Sequence, residues 1–167
     1  MKKLTIPKIK DGTVIDHQKV GTVYKAIKIL NLEEPMDDNI TSTASNVPSS
    51  AVPGGKKDIL KIENKELSRE EVNKIALLSP YATINIIQDY DVKEKYDAEL
   101  PGNISGIVRC SNPSCISREY EVEDLEIFRR EPVEYKFKVI DKEKPILRCY
   151  FCDREMEGDK IYDNLIF

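Results

Sequence analysis

The residues with the most distinctive chemistry are four cysteines. Cys110 and Cys115 flank an Asn-Pro turn in RCSNPSCIS, and Cys149 and Cys152 follow in RCYFC. The pattern is C-x4-C, a gap from residue 116 to residue 148, then C-x2-C. Each short spacing lets two thiolates converge on one ion, and hairpins can join the pairs into a tetrahedral four-thiolate zinc site with Zn–S distances of about 2.3 Å. Four thiolates close the shell, whereas a catalytic zinc keeps one position open, so the expected role is structural. Two other readings stand beside it. Cysteine is also buried as a small hydrophobe, and Cys149-Tyr150-Phe151-Cys152 has a redox-type spacing but no thioredoxin-like βαβ context.

The chain around these thiols is 167 residues long, 40% hydrophobic and 34% charged, which places it among globular chains of one domain or two small ones. No run approaches the roughly 18 apolar residues of a membrane span. MKKLTIPKIKDG lacks the apolar core of a signal peptide. The expected compartment is therefore the cytoplasm, where thiols stay reduced and a metal is favoured over disulfides.

Residues 1–100 carry alternating strand and helix patterns. LTIPKI (4–9) and TVIDH (13–17) read as strands around a DG turn, and apolar spacing from Lys19 to Leu32 reads as a helix that breaks at Glu34-Pro35. Two strands follow, near Ile40 and in DILKIEN, joined by a mobile loop that includes PGGKKD. Ser68-Arg69-Glu70-Glu71 is a capping box opening a helix through Leu78. YATINIIQDYDVKEKY completes the order βαββαβ, a ferredoxin-like plan with two helices on one face of an antiparallel sheet. Leu100-Pro101-Gly102 marks a boundary, and residues 101–167 hold the β-like runs SGIVRC, EYEVEDLEIF, EYKFKVI and PILRCYF. The expected class is α+β: an N-terminal ferredoxin-like domain (1–100) and a C-terminal all-β four-cysteine zinc domain (101–167). A unit of about 65 residues usually needs a metal, a disulfide or a partner.

Charge narrows the partners. The chain has a formal net charge of -4 and a pI near 5.2. Residues 101–167 carry 11 Lys and Arg against 14 Asp and Glu, and four thiolates with one Zn2+ add a further -2. Phosphate-backbone binding relies on clustered positive charge; Arg129-Arg130 is one local pair that could supply it, with a solvated surface pair the favoured reading. Protein contact is favoured over nucleic acid, and a zinc-ribbon nucleic-acid-binding protein is the alternative. A metalloenzyme is weaker still, since His17 is the sole histidine.

His17 follows Asp16 at a strand end, and Lys61 and Lys95 occupy strand contexts. Together they could neutralise phosphates while Asp16 accepts from ribose hydroxyls. From spacing alone, ordinary solvated side chains are the favoured reading.

Taken in order, GTVIDH, KKDILKIEN followed by LS, PYATIN, and CSNPSCIS with its later C-x2-C resemble the regulatory chain of aspartate carbamoyltransferase over nearly the whole sequence. The resemblance implies a non-catalytic subunit of pyrimidine biosynthesis, with a domain binding ATP- or CTP-type effectors and a zinc domain docking on the catalytic chain. It implies contacts from Asp16 and Lys61 to the ribose and base, and from His17 and Lys95 near the phosphates. Ile9, Asn85, Ile87, Tyr90 and Val92 match the pocket wall. Asn112 and Asp153 match positions facing the catalytic chain, and Ser114 stands where the best-known pattern has asparagine. Pairing of two regulatory chains through their sheets is also implied.

Overall fold

The computed structural model describes residues 6–33, 39–118 and 133–167. Contacts divide the chain into Met1–Glu99 and Leu100–Phe167. Among the described residues, no helix is long and apolar enough to cross a membrane.

The first unit runs β1 (Gly12–Gln18), α1 (Val23–Ile29), β2 (Thr41–Pro48), β3 (Lys56–Glu63), α2 (Arg69–Leu78), β4 (Thr83–Gln88) and β5 (Asp91–Asp97). Its antiparallel sheet has the order β2-β3-β1-β4-β5, the ferredoxin-like arrangement with one strand added at the edge. Cross-strand partners share a face. Thr43, Leu60, Ile15, Ile84 and Tyr96 form one row toward the helices, and Leu60, Ile15 and Ile84 are fully buried there. Val23, Ala26 and Ile29 of α1 and Ile75, Ala76 and Leu77 of α2 supply the other half of this core. At 25 to 30 cal/mol per Å2, such burial is the main term holding the unit together.

The two helices are set locally in different ways. Ser68 accepts from the Glu71 N–H at 3.2 Å while the Glu71 carboxylate accepts from the Ser68 N–H at 2.8 Å, the reciprocal box its spacing foretells. Ser68→Ala should cost about 1 kcal/mol, read as a lower midpoint for the first unit in urea, while metal content stays unchanged. The helix expected from Lys19 to Leu32 is shorter. Gly21 sits at φ +85, a left-handed conformation that interrupts any helix begun at Lys19, and Asn31 at φ 53 ends it. Glu34-Pro35 lies outside the described residues.

Other expectations also shift. Of the strand expected over 4–9, the described residues Ile6–Ile9 carry none, and Pro7 has no N–H for a ladder. The Pro7 carbonyl instead accepts from Lys61 Nζ. The stretch read as a mobile loop through PGGKKD is partly strand: β3 already begins at Lys56, and residues 49–55 close on themselves through Ser49 N–H to Gly55 O and Gly55 N–H to Val52 O. YATINIIQDYDVKEKY is a hairpin of two strands, turning at Asp89-Tyr90. Gly12 is obligatory at its place, because a Cβ there would lie 2.1 Å from the Ile62 carbonyl oxygen.

The second unit has strands β6 (Asn103–Ser105), β7 (Lys136–Asp141), β8 (Ile146–Cys149) and β9 (Glu155–Glu157), in that spatial order, then a one-turn helix α3 (Asp159–Asp163). Ile104, Phe137, Val139, Leu147 and Met156 bury one face. The chain end returns to this core: Ile166 N–H donates to Ile107 O and Arg109 N–H to Asn164 O. Strand β9 and helix α3 had no counterpart in the sequence reading. The run EYEVEDLEIF and the pair Arg129-Arg130 lie outside the described residues.

Candidate functional site

Two groups of side chains stand out, one in each unit. The first is built by a fault in β1. Between Ile15, opposite Leu60, and Gln18, opposite Asp58, β1 has two residues where β3 has one. This one-residue bulge interrupts alternation, so Asp16 and His17 do not take the opposite faces that neighbours in a regular strand would. His17 takes the left-handed φ of 55, and its N–H donates to Asp16 Oδ1 at 2.6 Å.

A row of cross-strand partners crosses the face away from the helices: Ser42, Lys61, Val14, Asn85 and Lys95. Asp16, Thr83 and Asp97 form the adjacent row. Lys57 Nζ reaches Asp16 at 2.8 Å. His17 Nδ1 lies 3.3 Å from Thr83 Oγ1, whose hydroxyl donates to Asp97 Oδ1 at 3.4 Å. Asn85 donates its side-chain N–H to Val14 O. Burial lowers the Lys61 pKa, and the Asp16 carboxylate partly offsets this. The face thus gathers three ammonium groups and an imidazole around two carboxylates.

At one end of the face, Gly12, Ile87 and Val92 are partners across three strands, and Tyr90 stands on the neighbouring turn. Tyr90 N–H donates to Lys10 O and Asp89 N–H to Asp11 Oδ1, tying the hairpin to the segment that carries buried Ile9. Among the described residues, seven non-glycine positions have positive φ, and five are Asn or Asp, which tolerate it. The two exceptions are His17 and Tyr90. Such outliers persist where surrounding structure fixes them, and they concentrate at ligand sites.

Sequence reasoning did not single out Lys57 or Thr83. Lys57 alternates with Ile59 and Lys61 once β3 is known to begin before them, which is the signal that was available. Thr83 shows itself only through register with Asp16.

The second group is the four cysteines. Cys110 ends the segment held by the chain terminus, and Cys115 follows a turn closed by Cys115 N–H to Asn112 O and Ser114 N–H to Asn112 Oδ1. Cys149 ends β8, and the loop to β9 is closed by Asp153 N–H to Cys149 O, with Asp153 at φ 57. The four sulfurs lie within 4.8 Å of one another. Cys110 and Cys152 are 3.6 Å apart, and Cys115 and Cys149 are 3.7 Å apart. Ligands at about 2.3 Å from a tetrahedral ion are separated by about 3.8 Å. The donor set therefore fits a divalent metal.

Desolvation pushes the Cys110 thiol up, with the Cys152 and Cys149 thiols adding to it against the Asn112 N–H. Desolvation raises Cys149 as well. At Cys152 desolvation is outweighed by the Arg154 N–H and by hydrogen bonds from Asn112, Cys110 and Cys115, leaving it at about 7. Cys152 is the least enclosed of the four.

Both units have matches among known families. Residues 4–99 match the model of the aspartate carbamoyltransferase regulatory chain, allosteric domain, and residues 102–162 match that family's metal binding domain. Curated relatives with the name aspartate carbamoyltransferase regulatory chain include those of Thermococcus onnurineus, 46% identical over 99% of this chain and 100% of the relative, and Pyrococcus furiosus, 47% identical over the same shares. That of Methanothrix thermoacetophila is 43% identical over 93% of this chain and 92% of its own. With both units and almost the full length accounted for, this chain belongs to the aspartate carbamoyltransferase regulatory chain family.

Proposed function

We propose that residues 1–100 bind a nucleoside triphosphate effector of the ATP or CTP type on the open sheet face, and that residues 101–167 hold one structural Zn2+ and dock on the catalytic chain. The chain itself does no chemistry. It biases the activity of the catalytic chain, in the cytoplasm, as a dimer with a second regulatory chain. Asn112 and Asp153, on the two cysteine loops, face the catalytic chain.

The observation that supports the effector reading best is the convergence of Asp16, His17, Lys57, Lys61, Asn85 and Lys95 on one face. Lys95 neutralises the triphosphate as a point charge, and Lys61 contacts the ribose and base. His17, whose Nδ1 lies beside Thr83 Oγ1, offers a ring N–H to a phosphate oxygen. Asp16 accepts from a ribose hydroxyl while its ion pair with Lys57 holds the carboxylate in place. Ile9, Ile87, Tyr90 and Val92 wall the base. A nucleotide shifts the assembly only by its difference in affinity for two states, so binding and regulation need separate assays.

The test is calorimetric titration of the metal-loaded chain with CTP and ATP. Lys95→Ala should weaken either triphosphate roughly tenfold, the scale of one charge-assisted hydrogen bond, while leaving metal content unchanged. Affinities equal to those of the parent chain would remove Lys95 from the site. Light-scattering mass after mixing with the catalytic trimer checks docking, and the larger complex should disappear with the metal.

A further inference from the structure

The four sulfurs are held by a repeated device with one exception. In each case the residue two positions after the cysteine supplies a donor. Asn112 N–H lies 3.4 Å from Cys110 Sγ. The N–H of Phe151 bonds Cys149, and that of Arg154 bonds Cys152. After Cys115 the corresponding residue is Ser117, and the contact runs through its side chain: Oγ lies 3.1 Å from Cys115 Sγ. Ser117 is only 4% exposed, so water does not compete freely for the hydroxyl.

We propose that Ser117 is a positioning residue for the metal, its hydroxyl donating to the Cys115 thiolate and slowing loss of the ion. The proposal rests on the reading that the four cysteines bind metal. A thiolate has no proton to give, so in the metal-bound state the hydroxyl must be the donor. Four thiolates around a divalent ion leave a net charge of -2 in a largely buried site, and that charge is stabilised by hydrogen bonds to sulfur. The bond also fixes the direction of the sulfur lone pairs. Removing an outer partner of a metal ligand typically weakens retention by 10- to 100-fold. Of the four donors two residues on, this one alone belongs to a side chain, so a single substitution removes it without touching the backbone.

The full chain loaded with Co2+ provides the test, because sulfur-to-cobalt charge transfer reports electron density on the thiolates. A donor lowers the energy of the sulfur lone pairs. Ser117→Ala should therefore move the charge-transfer band to longer wavelength and speed removal of Co2+ by excess EDTA about tenfold. Ser117→Thr keeps the hydroxyl and should restore both values. A purely space-filling serine would leave the band in place. The proposal is overturned if Ser117→Ala matches the parent in band and rate, or if the two variants lose cobalt equally. Failure of Ser117→Ala to take up cobalt, with uptake by Ser117→Thr, supports it. If the parent chain itself takes up no tetrahedral Co2+, the metal reading falls and this proposal with it, an outcome distinct from parent uptake with unaltered variants.

Discussion

Stripping the metal with a chelator under reducing conditions should unfold residues 100–167 and leave the first unit folded. A unit of about 70 residues sits where a hydrophobic core seldom supplies more than 3 to 5 kcal/mol, and its short sheet buries few large side chains besides Phe137, Leu147 and Met156. A structural four-ligand zinc site contributes on the order of 10 kcal/mol of apparent folding free energy at neutral pH. Without that contribution the unit is left with a marginal core that must also accommodate four unliganded thiols, too little to hold it folded. Cys149→Ser should act in the same way, since it removes a ligand at the point where β8 turns toward β9. Amide hydrogen exchange resolves the two units in one experiment: protection should vanish from β7 and β8 and persist in β1, β3 and β4. Retained protection in β7 after verified metal loss would falsify the structural role.

The second large effect is expected at Asp58, which is fully buried. Its Oδ2 accepts from the N–H groups of Gly21 and Val23 at 2.8 and 3.3 Å. Its Oδ1 accepts from Ser45 Oγ and Asn46 N–H, both at 2.8 Å. Ser45 and Asn46 form a second bulge, where β2 has two residues opposite one of β3. One carboxylate therefore ties the start of α1 to the deformed edge strand, beside Lys57. Asp58→Ala leaves four donors around a cavity, each costing about 1 to 3 kcal/mol if unsatisfied. Allowing for entry of water, the net loss should be roughly 3 to 5 kcal/mol, a large share of the 5 to 15 kcal/mol typical of a whole domain. Thermal unfolding of the first unit should drop sharply, with effector affinity falling alongside. Asp58→Asn retains one acceptor oxygen and should lie between. A melting curve for Asp58→Ala that overlays the parent would show that these contacts are dispensable.

How much of this was legible in the sequence depends on the range of the interaction that decides each feature. The cysteine cluster and the Ser68–Glu71 box were legible because ligand spacing and capping chemistry span only a few residues. The order of elements also emerged, since apolar periodicity is local. The bulge at Asp16-His17 was not, because it exists only relative to β3, and a single strand carries no record of its partner's count. Lys57 was hidden for the same reason: GGKK reads as a loop until Val47 and Pro48 pair with Lys57 and Lys56. The hairpin at Asp89-Tyr90 escaped notice because it lacks the Asn-Gly or Asp-Gly that usually announces such a turn. In LTIPKI the alternation was present, but Pro7 belongs to a segment bonded by its carbonyl rather than by a ladder.

The left-handed residues of the first unit bear on any attempt to make this chain more heat-resistant. Glycine at a strained positive-φ position relieves the steric conflict of a side chain, and stabilising substitutions commonly cost function where activity needs a strained site. Among the described residues, His17 and Tyr90 are the non-glycine, non-Asx residues held in that conformation, and both stand on the face proposed for the effector. A screen scoring only survival at high temperature would therefore converge on replacing them, yielding a hardier chain deaf to its signal. Any such campaign has to score responsiveness together with melting temperature from its first round.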